Sequence, residues 1–428
     1  YSFNKTGAGT LFLGSGSIRS GGTNTVTAGT LKLGSPTALG TNGVSLVLAL
    51  NGGTLDLATD ITVTNYPTII GGAATVLSDK ATPNSDGITH VLGPLTITNS
   101  LSVAAGANVR AGSSFGLTFG TNTLTGNATF NVAAFGALTL GTTSGNYGFT
   151  KAGPGTLVLA SPNAYTGVTA ITQGLVILTG ASGSITNTSA ITLSGDSTLE
   201  LRNSTASNLN DRVRNGIPIT LAGGTLSFAH TGGATNYSES LGALLVTGST
   251  NQFVTSQANV GYTSVVTLAS IVRSNAAVLN FVGTGLGDSD RNRIFIPGQP
   301  EGNLGPWATV NGTNFAFYSL SRGVCVTTNT YDLAARGPGS VIPNDSNLVA
   351  RINSPGIAGP ITLAGNLTNR IFGVRQNTGT DAVIATLSGT TNKVLLTHGL
   401  FITDGQGSVT VGEKTGDGVL SALAQPEG

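Results

Sequence analysis

Short apolar stretches of one form recur along the chain: a glycine, a threonine, then two leucines separated by one residue. Examples are Gly9-Thr10-Leu11-Phe12-Leu13, Gly29-Thr30-Leu31-Lys32-Leu33, Gly53-Thr54-Leu55-Asp56-Leu57 and Gly155-Thr156-Leu157-Val158-Leu159. Residues two apart on a strand point to the same face, so each leucine pair marks a half-buried strand. The β-branched threonine suits the pleated outer face. The preceding glycine permits a sharp bend between strands. No stripe of helical period is sustained, so helix is expected to be scarce. Strands of about five residues, with turn signals roughly every 8–12 residues, predict an all-β protein.

The strands are organised into larger repeats. Tyr1-Ser2-Phe3-Asn4-Lys5-Thr6-Gly7-Ala8-Gly9-Thr10-Leu11-Phe12-Leu13 returns as Tyr147-Gly148-Phe149-Thr150-Lys151-Ala152-Gly153-Pro154-Gly155-Thr156-Leu157-Val158-Leu159, at an offset of 146. The next strand returns at an offset of 145, Gly29-Thr30-Leu31-Lys32-Leu33 matching Gly174-Leu175-Val176-Ile177-Leu178. Pro218-Ile219-Thr220-Leu221-Ala222-Gly223 reappears unchanged as Pro360-Ile361-Thr362-Leu363-Ala364-Gly365. A sandwich and a solenoid both accommodate such strands. The repeats favour the solenoid, because coils that touch only their neighbours tolerate slips and loop insertions. A coil of ~22 residues gives roughly 19 coils. At ~4.8 Å per coil that is a rod on the order of 90 Å long. The coil register stays open, since Leu-x-Leu strands can slip by two residues at little cost.

Composition removes several classes of function. The 428 residues include 63 Gly, and 9% are charged, against roughly 25% in an ordinary soluble domain. The 39% hydrophobic content is too high for a disordered chain. No apolar run reaches the ~18–20 residues of a membrane-spanning helix. A net charge of +1 argues against nucleic-acid binding. Cys325 is the one cysteine, so no intrachain disulfide forms. Three histidines (His90, His230, His398) leave little for a multi-histidine metal site, and no cofactor is implied.

A longer motif joins these strands. Lys151-Ala152-Gly153-Pro154-Gly155-Thr156-Leu157-Val158-Leu159 is followed by Asn163-Ala164-Tyr165-Thr166-Gly167-Val168-Thr169 and then by Gly174 to Leu178. The order resembles the autotransporter-associated β-strand repeat of large bacterial surface proteins. The first copy departs from it at Ser20-Gly21-Gly22-Thr23, which lacks the Asn and Tyr. The segment from Gly305 to Ala316 is similar to the stretch found after such repeats in those proteins. The resemblance implies a right-handed parallel β-helix, export, and a place at the bacterial outer surface. It carries over no catalytic residue.

Three segments are expected: a β-solenoid over 1–264, an irregular or inserted segment over 265–330, and a solenoid continuation over 331–428. The middle segment concentrates charge and aromatics. Trp307, Phe315, Phe317 and Tyr318 are candidates for a glycan-binding groove or, more plainly, for a local core. Asp288-Ser289-Asp290 opens like a calcium loop, but Arg293 and Gln299 stand where the loop needs Gly and Glu. A salt-bridged surface turn accounts for Asp288 and Asp290 better. Gly283-Thr284-Gly285-Leu286-Gly287 lacks the following helix of a phosphate loop. Gly112-Ser113-Ser114-Phe115-Gly116 lacks that of a nucleophile elbow. Glu200, Arg202, Asp211, Arg212 and Arg214 lie in or beside an Asn-rich loop, where charge is usually solvated. His90 and His398 read as strand residues facing solvent or a polar neighbour, and Cys325 as a small buried hydrophobe.

The expected function is that of a non-enzymatic extracellular structural rod. Tyr1 and Phe3 stand at the phase where a repeat starts, which makes them a candidate edge for head-to-tail assembly of copies into a filament. An adhesin that binds glycans and a polysaccharide-cleaving β-helix are the alternatives.

Overall fold

The computed structural model describes residues 2–14, 22–40, 46–63, 65–232, 235–248, 250–257, 259–274, 276–333, 339–354, 359–365, 367–388, 391–402, 405–412 and 419–422. Among these residues there is no helix. The chain forms two compact units, one of residues 1–278 with 290–297, the other of 279–289 with 298–428.

The first unit is a parallel β-solenoid walled by three sheets. The first sheet has nine strands, from Asn4–Lys5 to Ser184–Ile185. The second has thirteen, from Thr10–Leu13 to Asn292–Phe295. In this unit the third runs from Thr89–Val91, through Phe115–Phe119 and Gly136–Leu140, to Thr250–Gln257. From Thr68–Ile70 to Ser197–Asn203 the chain takes one strand from each sheet in turn, returning in parallel register one coil further on; before that the described strands alternate between the first and second sheets, and afterwards between the second and third. Leu117, Leu138, Leu157, Val176 and Leu199 are successive partners in the third sheet. All five are fully buried. The period-two pattern thus becomes a stack of aliphatic side chains along the axis. Each buried leucine or valine contributes about 1.5–3 kcal/mol.

Coil length varies from 19 residues (Ala137 to Thr156) to 29 (Ser100 to Thr129). Many coils are therefore longer than the expected ~22, and the chain makes fewer of them. The extra residues form loops between strands, as at 203–216, and leave the ladder register intact. Thirteen strands at ~4.8 Å spacing make the second sheet about 58 Å long.

The second unit contains two parallel sheets. One has five strands: Thr330–Leu333, Asp345–Ile352, Thr368–Gln376, Val394–Phe401 and Val419–Ala422. The other has four, from Val341–Ile342 to Val409–Val411. Between them lies an aliphatic core that includes Leu333, Ile342, Ile352, Ile361, Ile371 and Ile384.

The segment 265–330 divides. Ser264–Arg273 and Asn292–Phe295 pair in regular parallel register within the first unit. The irregular part is an antiparallel meander of Gly302–Asn303, Ala308–Val310, Asn314–Ser319 and Gly323–Val326 in the second unit. Phe315 anchors this meander to the five-stranded sheet. Val349, Gly373 and Gly399 are successive cross-strand partners and leave a shallow trough. A Cβ on Gly373 would run into the Phe315 ring, so only glycine admits the phenyl there. Phe372 and Phe401 close the trough at ring distances of 5.4 and 5.3 Å.

Candidate binding sites and the buried repeat positions

The residues that define the repeat motif are consumed inside the coil. Lys151 is fully buried, and its Nζ donates to the carbonyls of Ala152 (2.8 Å), Gly153 (2.7 Å) and Gln173 (3.2 Å). It thereby satisfies turn carbonyls of two adjacent coils, while burial lowers its amine to about 8. Lys5 repeats the arrangement, donating to the carbonyls of Gly7 and Ala28. The acceptors correspond at the sequence offsets of 146 and 145. Thr27 and Thr172, also corresponding, donate their hydroxyls to the carbonyls of Lys5 (3.1 Å) and Lys151 (3.2 Å). Gly29 and Gly174 adopt φ of 69° and 75°. A Cβ at either would collide with a carbonyl oxygen in the coil beneath.

The middle of the motif behaves likewise. Asn163 is buried and joins three coils: its Oδ1 accepts from Thr143 N (3.1 Å), and its Nδ2 donates to Ser161 O (2.6 Å) and Ser184 O (3.1 Å). Tyr165 is buried against Phe149 at 5.2 Å, with its hydroxyl 2.6 Å from Thr169 Oγ1. Thr169 Oγ1 lies 2.9 Å from Thr188 Oγ1, whose hydroxyl donates to Gly167 O (2.7 Å). Buried polar groups cost free energy unless bonded, so these partners fix the stacking of coils.

Two of the four aromatic candidates are inaccessible. Phe315 and Tyr318 are buried in the second unit and belong to its packing, the core alternative given for them. Trp307 and Phe317 remain half-buried and line adjoining depressions. The first, about 360 Å³, includes Trp307, Pro306, Asn303, Asn347, Phe372 and His398. The second, about 460 Å³, includes Phe317, Glu301, Asn303, Thr328, Asn329 and Asn347. Asn303 bridges the walls, donating to Asn347 O (2.9 Å) and accepting from Thr327 Oγ1 (2.8 Å). The result is a cleft with an aromatic ring in each half and amides between them. Neither depression is lined by Lys or Arg.

The acidic candidates are paired. Asp288 lies 3.8 Å from Arg322, and Asp290 pairs with Arg293. Among the described residues, no three His, Cys, Asp or Glu converge as a metal site. Gly112–Gly116 leads into the strand Phe115–Phe119, and a turn rather than a helix comes after Gly283–Gly287. Tyr1 lies outside the described residues. Phe3 is half-buried, and its carbonyl accepts from Thr25 N at 2.9 Å. Cys325 is buried.

One expectation about charge is overturned. Arg212 is not solvated but fully buried. Its guanidinium donates to Asn203 Oδ1 (2.9 Å), Gly183 O (2.7 Å), Gly180 O (2.8 Å) and Ser207 O (3.1 Å). Glu239, also buried, accepts from the backbone N–H of Arg212 (3.1 Å) and Val213 (2.9 Å). Asn203 and Ser207 of the Asn-rich loop bond this guanidinium, whereas Asn208, Asn210, Asp211, Arg214 and Asn215 are exposed. His90 is likewise enclosed: Nδ1 accepts from Val63 N (3.1 Å) and Nε2 donates to Asp79 O (3.0 Å). Lys32 joins Asp56 (2.8 Å) and Asp79 (3.4 Å) across successive coils.

One residue without a place in the sequence argument stands out. Five described non-glycine residues have positive φ: Asn65, Asn84, Asp211, Asn311 and Phe135. The first four are of the type that tolerates the left-handed region. Phe135, at φ 64°, is not, and the conformation costs a bulky residue roughly 1–2 kcal/mol. The residue is nevertheless 64% exposed, so little packing offsets that cost.

Comparison with known proteins singles out the repeats. Residues 3–33 and 149–182 match the family model described as passenger-associated-transport-repeat. No curated protein matches the chain, and no solved structure does.

Proposed function

We propose that this chain, which carries two passenger-associated transport repeats on a parallel β-solenoid, is a stiff, non-enzymatic shaft of a secreted or surface-exposed passenger protein. The repeat and the solenoid fit an autotransporter passenger domain. The observation that carries the structural role is the fate of the motif residues. Lys151, Asn163, Tyr165 and Thr169 are spent on bonds between coils, where an enzyme would converge such groups on a solvent-facing site. Continuous ladders and buried cross-coil bonds stiffen the solenoid of the first unit along its axis. The small number of charges leaves little repulsion between copies, which favours joining end to end into a filament. Electron microscopy of the concentrated protein tests the filament. Fibres with a constant axial repeat are expected. Single particles together with a monomeric sedimentation profile contradict it.

A second reading, that of a glycan-binding adhesin, draws on the cleft in the second unit. Its half-buried Trp307 and Phe317 and the amides of Asn303, Asn329 and Asn347 form the kind of lining that stacks and hydrogen-bonds a saccharide. Trp307→Ala is expected to weaken glycan binding at least tenfold while the circular dichroism spectrum and unfolding midpoint stay unchanged. Loss of the fold in this variant would instead make Trp307 a core residue.

A further inference from the structure

Phe135 lies on a groove in the first unit that is separate from the cleft described above. The groove, about 460 Å³, crosses the turns of four successive coils. Gly87, Ile88 and Thr89 come from one turn, Ser114 and Phe115 from the next, Phe135 to Ala137 from the third, and Pro154 to Thr156 from the fourth. These turns are aligned by the third sheet, where Thr89 pairs with Gly116, Phe115 with Gly136, and Ala137 with Thr156. The floor is fixed: Phe115 is buried, and a Cβ on Gly136 would lie 2.7 Å from its ring. Pro154 and Phe135 stand exposed at the rim.

The chemistry of the lining narrows what the groove can hold. No charged side chain lines it, so nothing there would compensate a carboxylate, phosphate or ammonium. The hydroxyls of Thr89, Ser114 and Thr156 are distributed along it, which makes it too polar for an acyl chain. An exposed phenyl among neutral hydroxyls matches a molecule with an apolar C–H face and a rim of hydroxyl groups. The strained backbone points the same way. An asparagine at position 135 would relieve the left-handed conformation and remove exposed apolar surface. A bulky residue held in the left-handed region and largely exposed at the rim of a groove fits a contact residue. We infer that this groove binds an uncharged oligosaccharide lying along the solenoid axis, with a sugar ring stacked on Phe135.

The test uses the whole chain and Phe135→Asn, with Val260→Ala, an exposed apolar residue that lines neither the groove nor the other cleft, as the control. The probes are cellohexaose, chitohexaose and maltohexaose, with hexagalacturonate as the acidic comparison. The wild-type chain is expected to bind at least one neutral hexamer and not hexagalacturonate. In Phe135→Asn that binding falls at least tenfold, while the unfolding midpoint rises by about 2 °C. Val260→Ala leaves the binding lost in Phe135→Asn intact. The inference is overturned by absence of binding to all three neutral hexamers, by unchanged binding in Phe135→Asn, or by preference for hexagalacturonate. A lowered midpoint in Phe135→Asn makes the phenyl structural, and Phe135-dependent dimerisation makes the groove a protein interface; either overturns it. None of these outcomes bears on whether the chain forms fibres.

Discussion

Arg212→Met is expected to lower the unfolding free energy by about 3–5 kcal/mol, the range for removing one partner of a buried charged cluster. The side chain holds together elements distant in sequence. It donates to Gly180 and Gly183 on one side and to Asn203 and Ser207 on the other. Its own backbone N–H meets Glu239. Methionine fills a similar volume but donates nothing, so the three carbonyls and the Asn203 amide oxygen lose their donor in an enclosed space. The Glu239 carboxyl loses the nearby positive charge as well. Arg212→Lys keeps the charge without the planar fork and is expected to fall between the two. Urea unfolding of the three proteins measures the order. A loss under 1 kcal/mol for Arg212→Met would mean that solvent reaches the site and the loop over it is not closed.

The second large effect is a dependence of stability on pH with two opposed limbs. His230 is buried, stacked on Tyr237 at 4.1 Å, with Nε2 2.9 Å from Ser264 Oγ. Burial, followed by the charge of Arg212, lowers it from 6.5 to about 3. The unfolded chain therefore takes up this proton first, and the contribution of His230 is complete above pH 6.5 and lost as pH falls towards 3. Glu239 has the opposite sense. Burial raises it from 4.5 to about 8 against its two backbone N–H bonds, so its contribution is complete below pH 4.5 and lost as pH rises through 8. Between pH 4.5 and 6.5 the two slopes cancel. Stability is expected to be level there and to fall by about 2 kcal/mol on each side, towards pH 3 and towards pH 8. His90, also lowered by burial, steepens the acid limb. His230→Phe is expected to flatten the acid limb alone. Glu239→Gln is expected to flatten the alkaline limb alone, at a lower overall stability because one backbone N–H loses its acceptor. Unfolding midpoints from pH 3 to 9 read both. Unaltered limbs in the two variants would place the titrating groups elsewhere.

The architecture was legible because it depends on local pattern. Leucines two apart, glycines before the bends and the offsets of 146 and 145 all describe one coil and its next copy. The structure reproduces those offsets in the bonds of Lys5 and Lys151 and of Thr27 and Thr172. Arg212 was not legible for the opposite reason. Whether an arginine in a polar loop is solvated depends on carbonyls that converge on it from about thirty residues earlier. His90 is enclosed by Val63 and Asp79, which belong to other parts of the coil path. Among the aromatics, Trp307, Phe315, Phe317 and Tyr318 are close together in sequence and alike in composition. Strand alternation does not separate them, since Phe315 and Phe317 are two apart on Asn314–Ser319 and share a face; Phe315 is buried by the glycine trough beneath it, whereas Phe317 stays half-buried. That trough requires knowing that Gly373 and Gly399 are partners. Phe135 gave no signal, because Ala133-Ala134-Phe135-Gly136 does not specify which residue of the turn takes the left-handed conformation.

The leucine pattern alone leaves the coil register open, and every cross-coil bond depends on it. Disulfide formation between paired cysteines tests it directly. Thr118 and Thr139 are partners in the third sheet, and Ala137 lies two residues away from Thr139 on the same strand. In-register neighbours at ~4.8 Å are within reach of a disulfide, and a pair displaced by two residues is not. Under mild oxidation of the folded chain, Thr118→Cys with Thr139→Cys is expected to close rapidly, and Thr118→Cys with Ala137→Cys to stay reduced. Closure of the displaced pair in preference would contradict the coil register on which every cross-coil bond of the shaft rests.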